Sequence, residues 1–334
     1  MTRKFGIALL TIVVAAAIGA PVLAPHAADE QFSGLLNAPP MVPHIIDDSG
    51  SWRAPFVYPW ILANRLEQRY EQDRTRGITL TYGVSGHFVR SADEARAPLL
   101  LAGTEGVGRD VFSRLLFGAR TSLGIALAAA LGATLLGLLI GGLAAAAGGL
   151  MDDLLMRLSD FVLLLPAVYV ALALRAVLPL VLAPETIFVL LAGIFAVIGA
   201  PFVARGVRGI VRTEWQAEYA LAARALGASP ARVLWVHLLP AAKGFVVVQV
   251  TVLVPAFIVA EATLSYVGLG FSDSVASWGA MLHEAANARA LADFPWLLSP
   301  AVAIVFVVLG INLALQQTRS GPATGSSINY NHHR

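Results

Sequence analysis

The residues able to do chemistry in this chain are few, and their spacing excludes more than it offers. A phosphate-cradling loop needs Gly-x-x-x-x-Gly-Lys followed by Ser or Thr, so that backbone amides and a lysine meet the phosphates. The only lysines are Lys4 and Lys243, and neither follows such a loop. The glycines of Gly103-Thr-Glu-Gly106-Val-Gly108 lack the dinucleotide-binding spacing and follow no strand-like run, so they read as a turn. His283-Glu284-Ala-Ala-Asn287 approaches a zinc helix, but that chemistry needs two histidines four apart on one face, and Asn287 replaces the second. The segment reads as a solvated loop, and His332-His333 as an inert pair in a polar tail. With no cysteine, thiolate metal sites, cysteine nucleophiles and disulfides are excluded. The apolar stretches hold no Gly-x-Ser-x-Gly, no His-Glu-x-x-His and no paired aspartates. No catalytic residue, metal site or cofactor is expected, and the chain does not read as an enzyme.

Glu261 and Pro166 stand out for a different reason. An ionisable group in an apolar stretch is a candidate for a solute pathway, and Glu261 lies toward one end of such a stretch. It could equally reach the interface or cap a bend before Gly268. Pro166, Pro201 and Pro255 each remove a backbone donor and can kink a helix, as helices lining pathways often do.

The elements that carry these residues are dictated by composition. Of 334 residues, 57% are hydrophobic and only 13% charged. Soluble domains run nearer half and a quarter, so this chain needs lipid as part of its solvent. A net charge of +2 provides no large basic field, and no nucleic acid partner is expected. A bilayer core asks for roughly 20 apolar residues of helix. About six stretches qualify: 5–24, 122–147, 158–182, 186–204, 244–266 and 296–315. The first has a rival reading as a signal peptide, but its apolar run exceeds the roughly 7–15 residues of a signal core. It is expected to stay as a membrane helix.

The chain is therefore read as an all-α polytopic membrane protein. Residues 1–25 form the first membrane helix. Residues 26–120 form a long segment outside the cytoplasm, with an interfacial helix near 108–120. Residues 121–316 form the main membrane domain, with a cytoplasmic loop at 205–243, and residues 317–334 a disordered cytoplasmic tail. Orientation follows the basic residues of short loops: with both termini inside, Arg205, Arg208, Arg212, Arg224, Arg232 and Lys243 fall inside, and Arg289 alone outside. Ala129, Ala133, Gly137, Gly141, Ala145 and Gly149 recur every four positions, a stripe that lets a second helix approach closely in lipid.

The loop 205–243 is the most informative local segment. Thr213-x-x-Gln216 has the capping-box pattern of a helix start. The alanine-rich run Glu218–Leu226 favours helix, and Gly227 fits its left-handed stop. Ser229 and Pro230 fit the cap and first position of a second helix, expected to stop at Pro240. Leu221, Ala222, Ala225 and Leu226 make an apolar stripe, with Arg224 and Glu218 off it. Such a helix suits a groove on another protein, or else a lipid surface.

These residues resemble the EAA motif of binding-protein-dependent ABC importer permeases. Ala222-Ala-Arg-Ala-Leu-Gly-Ala-Ser229, followed by His237-Leu-Leu-Pro240, is similar to the dipeptide/oligopeptide/nickel branch. Further blocks agree in order: Gly103-Thr-Glu-x-x-Gly108-Arg-Asp110, Ser113 to Ser122, Met156-Arg157-x-x-Asp160, Glu261 to Gly270, and Ser277-Trp-Gly-Ala-Met-Leu282. Together they cover roughly residues 100–315. Leu221 stands where the motif has its glutamate, and residues 26–98 match no motif. The resemblance implies a type I importer permease fold and a C-type permease subunit in the bacterial cytoplasmic (inner) membrane, translocating peptides or a related small solute. It implies a second permease subunit as heterodimer partner, two cytoplasmic ATPase subunits that hydrolyse ATP, and an extracytoplasmic solute-binding protein. Glu218, Leu221, Ala222, Ala223, Arg224, Gly227, Leu239 and Pro240 would then form the ATPase-coupling loop. The competing reading is a secondary transporter or channel of similar span count. Such a protein needs no helix–glycine–helix loop and often carries charge mid-membrane.

Overall fold

The computed structural model describes residues 2–48, 50–65, 67–83, 86–166, 169–170, 173, 182–271, 275–286 and 292–315. It opens with helices α1 (Thr2–Ile18) and α2 (Ala20–Leu23). Six short strands follow: β1 (His44–Ile46), β2 (Trp52–Val57), β3 (Trp60–Asn64), β4 (Arg69–Gln72), β5 (Ile78–Tyr82) and β6 (Val89–Ser91). They form an antiparallel sheet in the order β1-β2-β5-β6 and a separate β3–β4 hairpin. The expectation of an all-α chain is thereby corrected to a mostly helical one. The β-rich stretch has its own small core of Met41, Val57, Leu80, Leu99 and Leu100. Its strands are short and interrupted by polar turns, so period-two alternation runs for too few residues to stand out beside the long apolar stretches.

The remainder is helical. Helix α3 (Val111–Ala147) and α4 (Gly149–Leu164) are joined at Gly148 and Gly149, both with positive φ. Then come α5 (Pro184–Glu214), α6 (Glu218–Ala225), α7 (Pro230–Val233), α8 (Leu239–Ala241), α9 (Lys243–Tyr266), α10 (Trp278–Glu284) and α11 (Ser299–Leu315). Among the described residues, four segments are long and apolar enough to cross a membrane: α3, α5, α9 and Pro295–Leu315. Helix α1, with 17 residues, lies at the short end of the roughly 17–25 that a span needs. About half of the expected span at 158–182 lies outside the described residues, and residues 317–334 lie wholly outside them. Residues 111–120 are the opening turns of α3, continuous with its apolar length.

Helix α3 is the hub. Asp110 caps it, its carboxylate accepting from the amides of Phe112 and Ser113. The small-residue stripe does what its spacing predicts over its first four members, all buried. Cβ atoms added at Gly137 and Gly141 would lie 2.4 Å from Val203 Cβ and 2.3 Å from the Ala204 carbonyl oxygen. Helix α5 therefore rests on the α3 backbone itself. Ala145 is half-buried, and Gly149 belongs to the next helix. Helix α1 packs against α11 in the same way, Gly6 meeting the Gly310 carbonyl.

Candidate functional site

The loop between α5 and α9 is built from local chain chemistry. Helix α5 runs on to Glu214, so Thr213 opens no helix; its hydroxyl bonds back to the Gly209 carbonyl. That corrects the capping-box expectation. Continuing an existing helix cost less than starting a new one. Helix α6 starts at Glu218, with no side-chain cap. It ends in a paired bond pattern: the Gly227 amide donates to Arg224 O at 2.9 Å, and the Ala228 amide to Ala223 O at 3.0 Å. That geometry needs a left-handed residue, and Gly227 has φ +84°. Ser229 Oγ accepts from the Arg232 amide and Pro230 sits in the first turn of α7, as expected.

The second helix does not stop at Pro240. A π-helical turn, Leu234–Leu238, carries the chain into α8. Proline has no amide to give the residue four before it, and one wider turn absorbs that missing bond.

The loop has two faces. Ala220, Val233, Leu234 and Leu238 are buried against the bundle. Leu221, Ala222, Ala225 and Leu226 all face outward, with Leu226 89% exposed. Glu218 and Gly227 are exposed, while Ala223, Arg224 and Leu239 are half-buried. Helix α6 is also tied back to the end of α5. Tyr219 Oη donates to Glu214 at 2.6 Å, which pushes that phenol up to about 12. Arg224 Nη2 donates to the Trp215 carbonyl at 3.2 Å, and its guanidinium lies 5.4 Å from the Trp215 ring centroid. The arrangement is a short helix of small and apolar side chains, held rigidly on the bundle and turned away from it.

At the opposite end of the bundle, Glu261 is fully buried. Its carboxylate accepts from Ser122 Oγ of α3 and Ser265 Oγ of α9, each at 2.8 Å. Ser122 Oγ also accepts the Trp278 amide at 3.1 Å, so one carboxylate joins α3, α9 and the start of α10. Pro166 follows the end of α4 and is exposed.

Two further clusters escaped sequence reasoning. Glu284, part of the apparent half zinc motif, receives Arg109 Nη2 at 2.7 Å and Arg114 Nη2 at 3.1 Å, and Arg109 also pairs with Glu105. His26 lies between Glu94 and Asp110. Apart from Arg109–Glu105, four residues apart, these pairs are separated by 68 to 175 residues and leave no local signal. Among the described residues no group of three or more metal-ligating side chains converges, and Asn287 lies outside them.

The fold is that of a mostly helical, multi-pass membrane protein with an exposed short helix on the loop between α5 and α9. Residues 133–318 match the family of binding-protein-dependent transport system inner membrane components, and the chain belongs to that family. The oligopeptide transport system permease OppC of Bacillus subtilis (strain 168) is 37% identical over 212 residues, covering 63% of this chain and 67% of that one. The dipeptide permease DppC of the same organism is 40% identical over 182 residues, covering 54% and 55%. The di/tripeptide permease DppC of Pseudomonas aeruginosa (strain UCBPP-PA14) is 35% identical over 215 residues, covering 64% and 68%. Among solved structures, the MetNI methionine ABC transporter in inward-facing conformations is similar at a TM-score of 0.49 and 19% identity, over 62% of this chain and 95% of that one. The matched region includes the whole loop and the C-terminal part of α3, but none of the β-rich segment.

Proposed function

We propose that this chain is a permease subunit of an ATP-binding-cassette importer that moves short peptides across the bacterial inner membrane. The observation that carries the proposal is the outward face of α6, set by the Gly227 turn and tied to α5. The names of the relatives supply the solute class. In this reading the loop 205–243 is cytoplasmic and docks in a groove of one of two ATPase subunits. A second permease completes the pathway, and a binding protein delivers solute to the outer side. Both termini lie inside, six helices span the bilayer, and the β-rich segment stands outside as an added module. ATP hydrolysis belongs to the partners, and this subunit has no catalytic residue. Glu218, Leu221, Ala222, Ala223 and Arg224 form the docked helix, Gly227 its turn, and Leu239 with Pro240 its return to the membrane. Glu261 meets the pathway only when α10 lifts from α3, and Pro166 marks a bend leading into the third span.

The mechanism is a differential-contact switch. Closing of the ATPase dimer moves the grooves, and the docked helices favour the bundle arrangement that fits the closed grooves. The test is reconstitution in liposomes. Tritiated trialanine should accumulate only when ATPases, sister permease and binding protein are all present with ATP. Accumulation with this chain alone would refute the reading.

A further inference from the structure

We propose that a clasp between Asp152 and Arg208 carries the motion of α6 into α4, making these two the positioning residues that link the docking loop to the third span. The proposal rests on the docking role given to α6 above.

Asp152, in the first turn of α4, is only 3% exposed. Arg208 of α5 grips it with a two-pronged fork, Nε to Oδ1 at 2.5 Å and Nη2 to Oδ2 at 2.6 Å. Arg212 adds a second positive charge, Nη1 lying 3.5 Å from Oδ2. Two turns further along α4, Asp160 pairs with Arg205. Planar, bidentate arginine–carboxylate pairs fix orientation as well as distance. The three arginines at 205, 208 and 212 thus make one face of α5 into a rail for α4.

Packing does not duplicate this link. A cavity of about 220 Å³ lies among α3, α4 and α5, lined by Leu136, Leu155, Ser159, Val197 and Pro201. Apolar contact across that gap is incomplete, which leaves the ion pairs as the directional link between α4 and α5. The ion pairs are the stiff connection. Just past Arg212, the end of the same α5 holds α6 through Tyr219–Glu214 and Arg224–Trp215. From α6 to α4, every junction is closed by a directional contact. A displacement of α6 therefore moves α4 rather than bending the Trp215–Ala217 link.

The chain has no cysteine, so Leu154→Cys on α4 and Val302→Cys on α11, both at exposed positions, take spin labels before assembly with no other labelled site on this chain. Distances are read in the complete importer in lipid nanodiscs, before and after trapping with ATP and vanadate. The wild-type distance is expected to shift on trapping. Asp152→Asn should hydrolyse ATP yet lose that shift, and Asp152→Glu should recover it. A merely structural role would lower the melting temperature of Asp152→Asn and leave the shift intact, which overturns the proposal. Where Asp152→Asn fails to insert, Arg208→Lys keeps the charge and removes the fork. A reduced shift there supports the clasp, and a full shift overturns it. If the unsubstituted importer shows no shift, the docking role of α6 falls, and the clasp with it.

Discussion

The imidazole Nε2 of His26 lies 2.8 Å from a carboxylate oxygen of Glu94, while its Nδ1 lies 3.2 Å from Asp110. One ring thus joins the segment just after α2, the β-rich segment and the cap of α3. The His26 amide, donating to Ser113 Oγ at 3.1 Å, strengthens the junction. Burial alone would lower the imidazole's proton affinity, but the hydrogen bonds and charges of Asp110 and Glu94 outweigh it and raise its pKa to about 9.

The sign of the pH dependence follows. A histidine raised above its unfolded value stabilises fully below about pH 6.5, and that contribution is lost as pH rises through about 9. The loss amounts to about 3 kcal/mol at this junction. Trypsin cleavage at Arg74 and Arg76 in the β-rich segment should accelerate between pH 7 and 9.5. In His26→Gln the acceleration over that window should disappear, with faster cleavage at neutral pH. An unchanged pH profile in His26→Gln would contradict the assignment.

Gly227 tests the turn. Its φ of +84° suits glycine, while a Cβ there meets nothing within 4 Å, so only backbone strain opposes substitution. Gly227→Val should cost about 1–2 kcal/mol locally. That is enough to redirect a loop without blocking membrane insertion. Peptide uptake should stall while the protein level in the membrane stays normal. Gly227→Asn should retain most uptake, because asparagine tolerates the left-handed region. Equal uptake by all three forms would remove the turn from the mechanism.

The exposed face of α6 gives a second handle on docking. Ala222 is exposed and makes no structural contact that a larger side chain would break. Ala222→Trp should leave the thermal stability of the subunit unchanged and abolish co-purification of the ATPase. Recovery of the ATPase at wild-type yield would place the contact elsewhere.

How much of this was legible beforehand depended on range. The loop could be read because glycine, serine and proline act within four residues: Gly227, Ser229 and Pro230 each do in the structure what their chemistry predicts. Thr213 misled because its capping pattern also fits the last turn of a longer helix, and only the burial of Val207 and Val211 keeps that helix going. The α3 stripe was visible as spacing, but not its partner, since nothing in Gly137 or Gly141 points to Val203 and Ala204. The ion pairs were out of reach altogether. Asp152 and Arg208 lie 56 residues apart, and their meeting is set by how α4 folds back along α5.

The α3–α5 contact yields the sharpest stability prediction. A side chain at Gly141 has no flexible neighbour to displace, because its Cβ would meet backbone oxygen and carbon of Ala204 at 2.3 and 3.0 Å. The helices must separate, and in lipid close packing is what holds them together. Gly141→Val should therefore destabilise the bundle by about 2–3 kcal/mol, in the range of overpacked cores. Gly193 on α5 is the matched control: an added Cβ there meets nothing within 4 Å. Gly193→Ala should be neutral or stabilising by about 0.5–1 kcal/mol, since alanine loses less backbone freedom in a helix. Thermal aggregation in detergent reads both. Equal midpoints for Gly141→Val and the unsubstituted chain would mean that α5 does not rest on the α3 backbone.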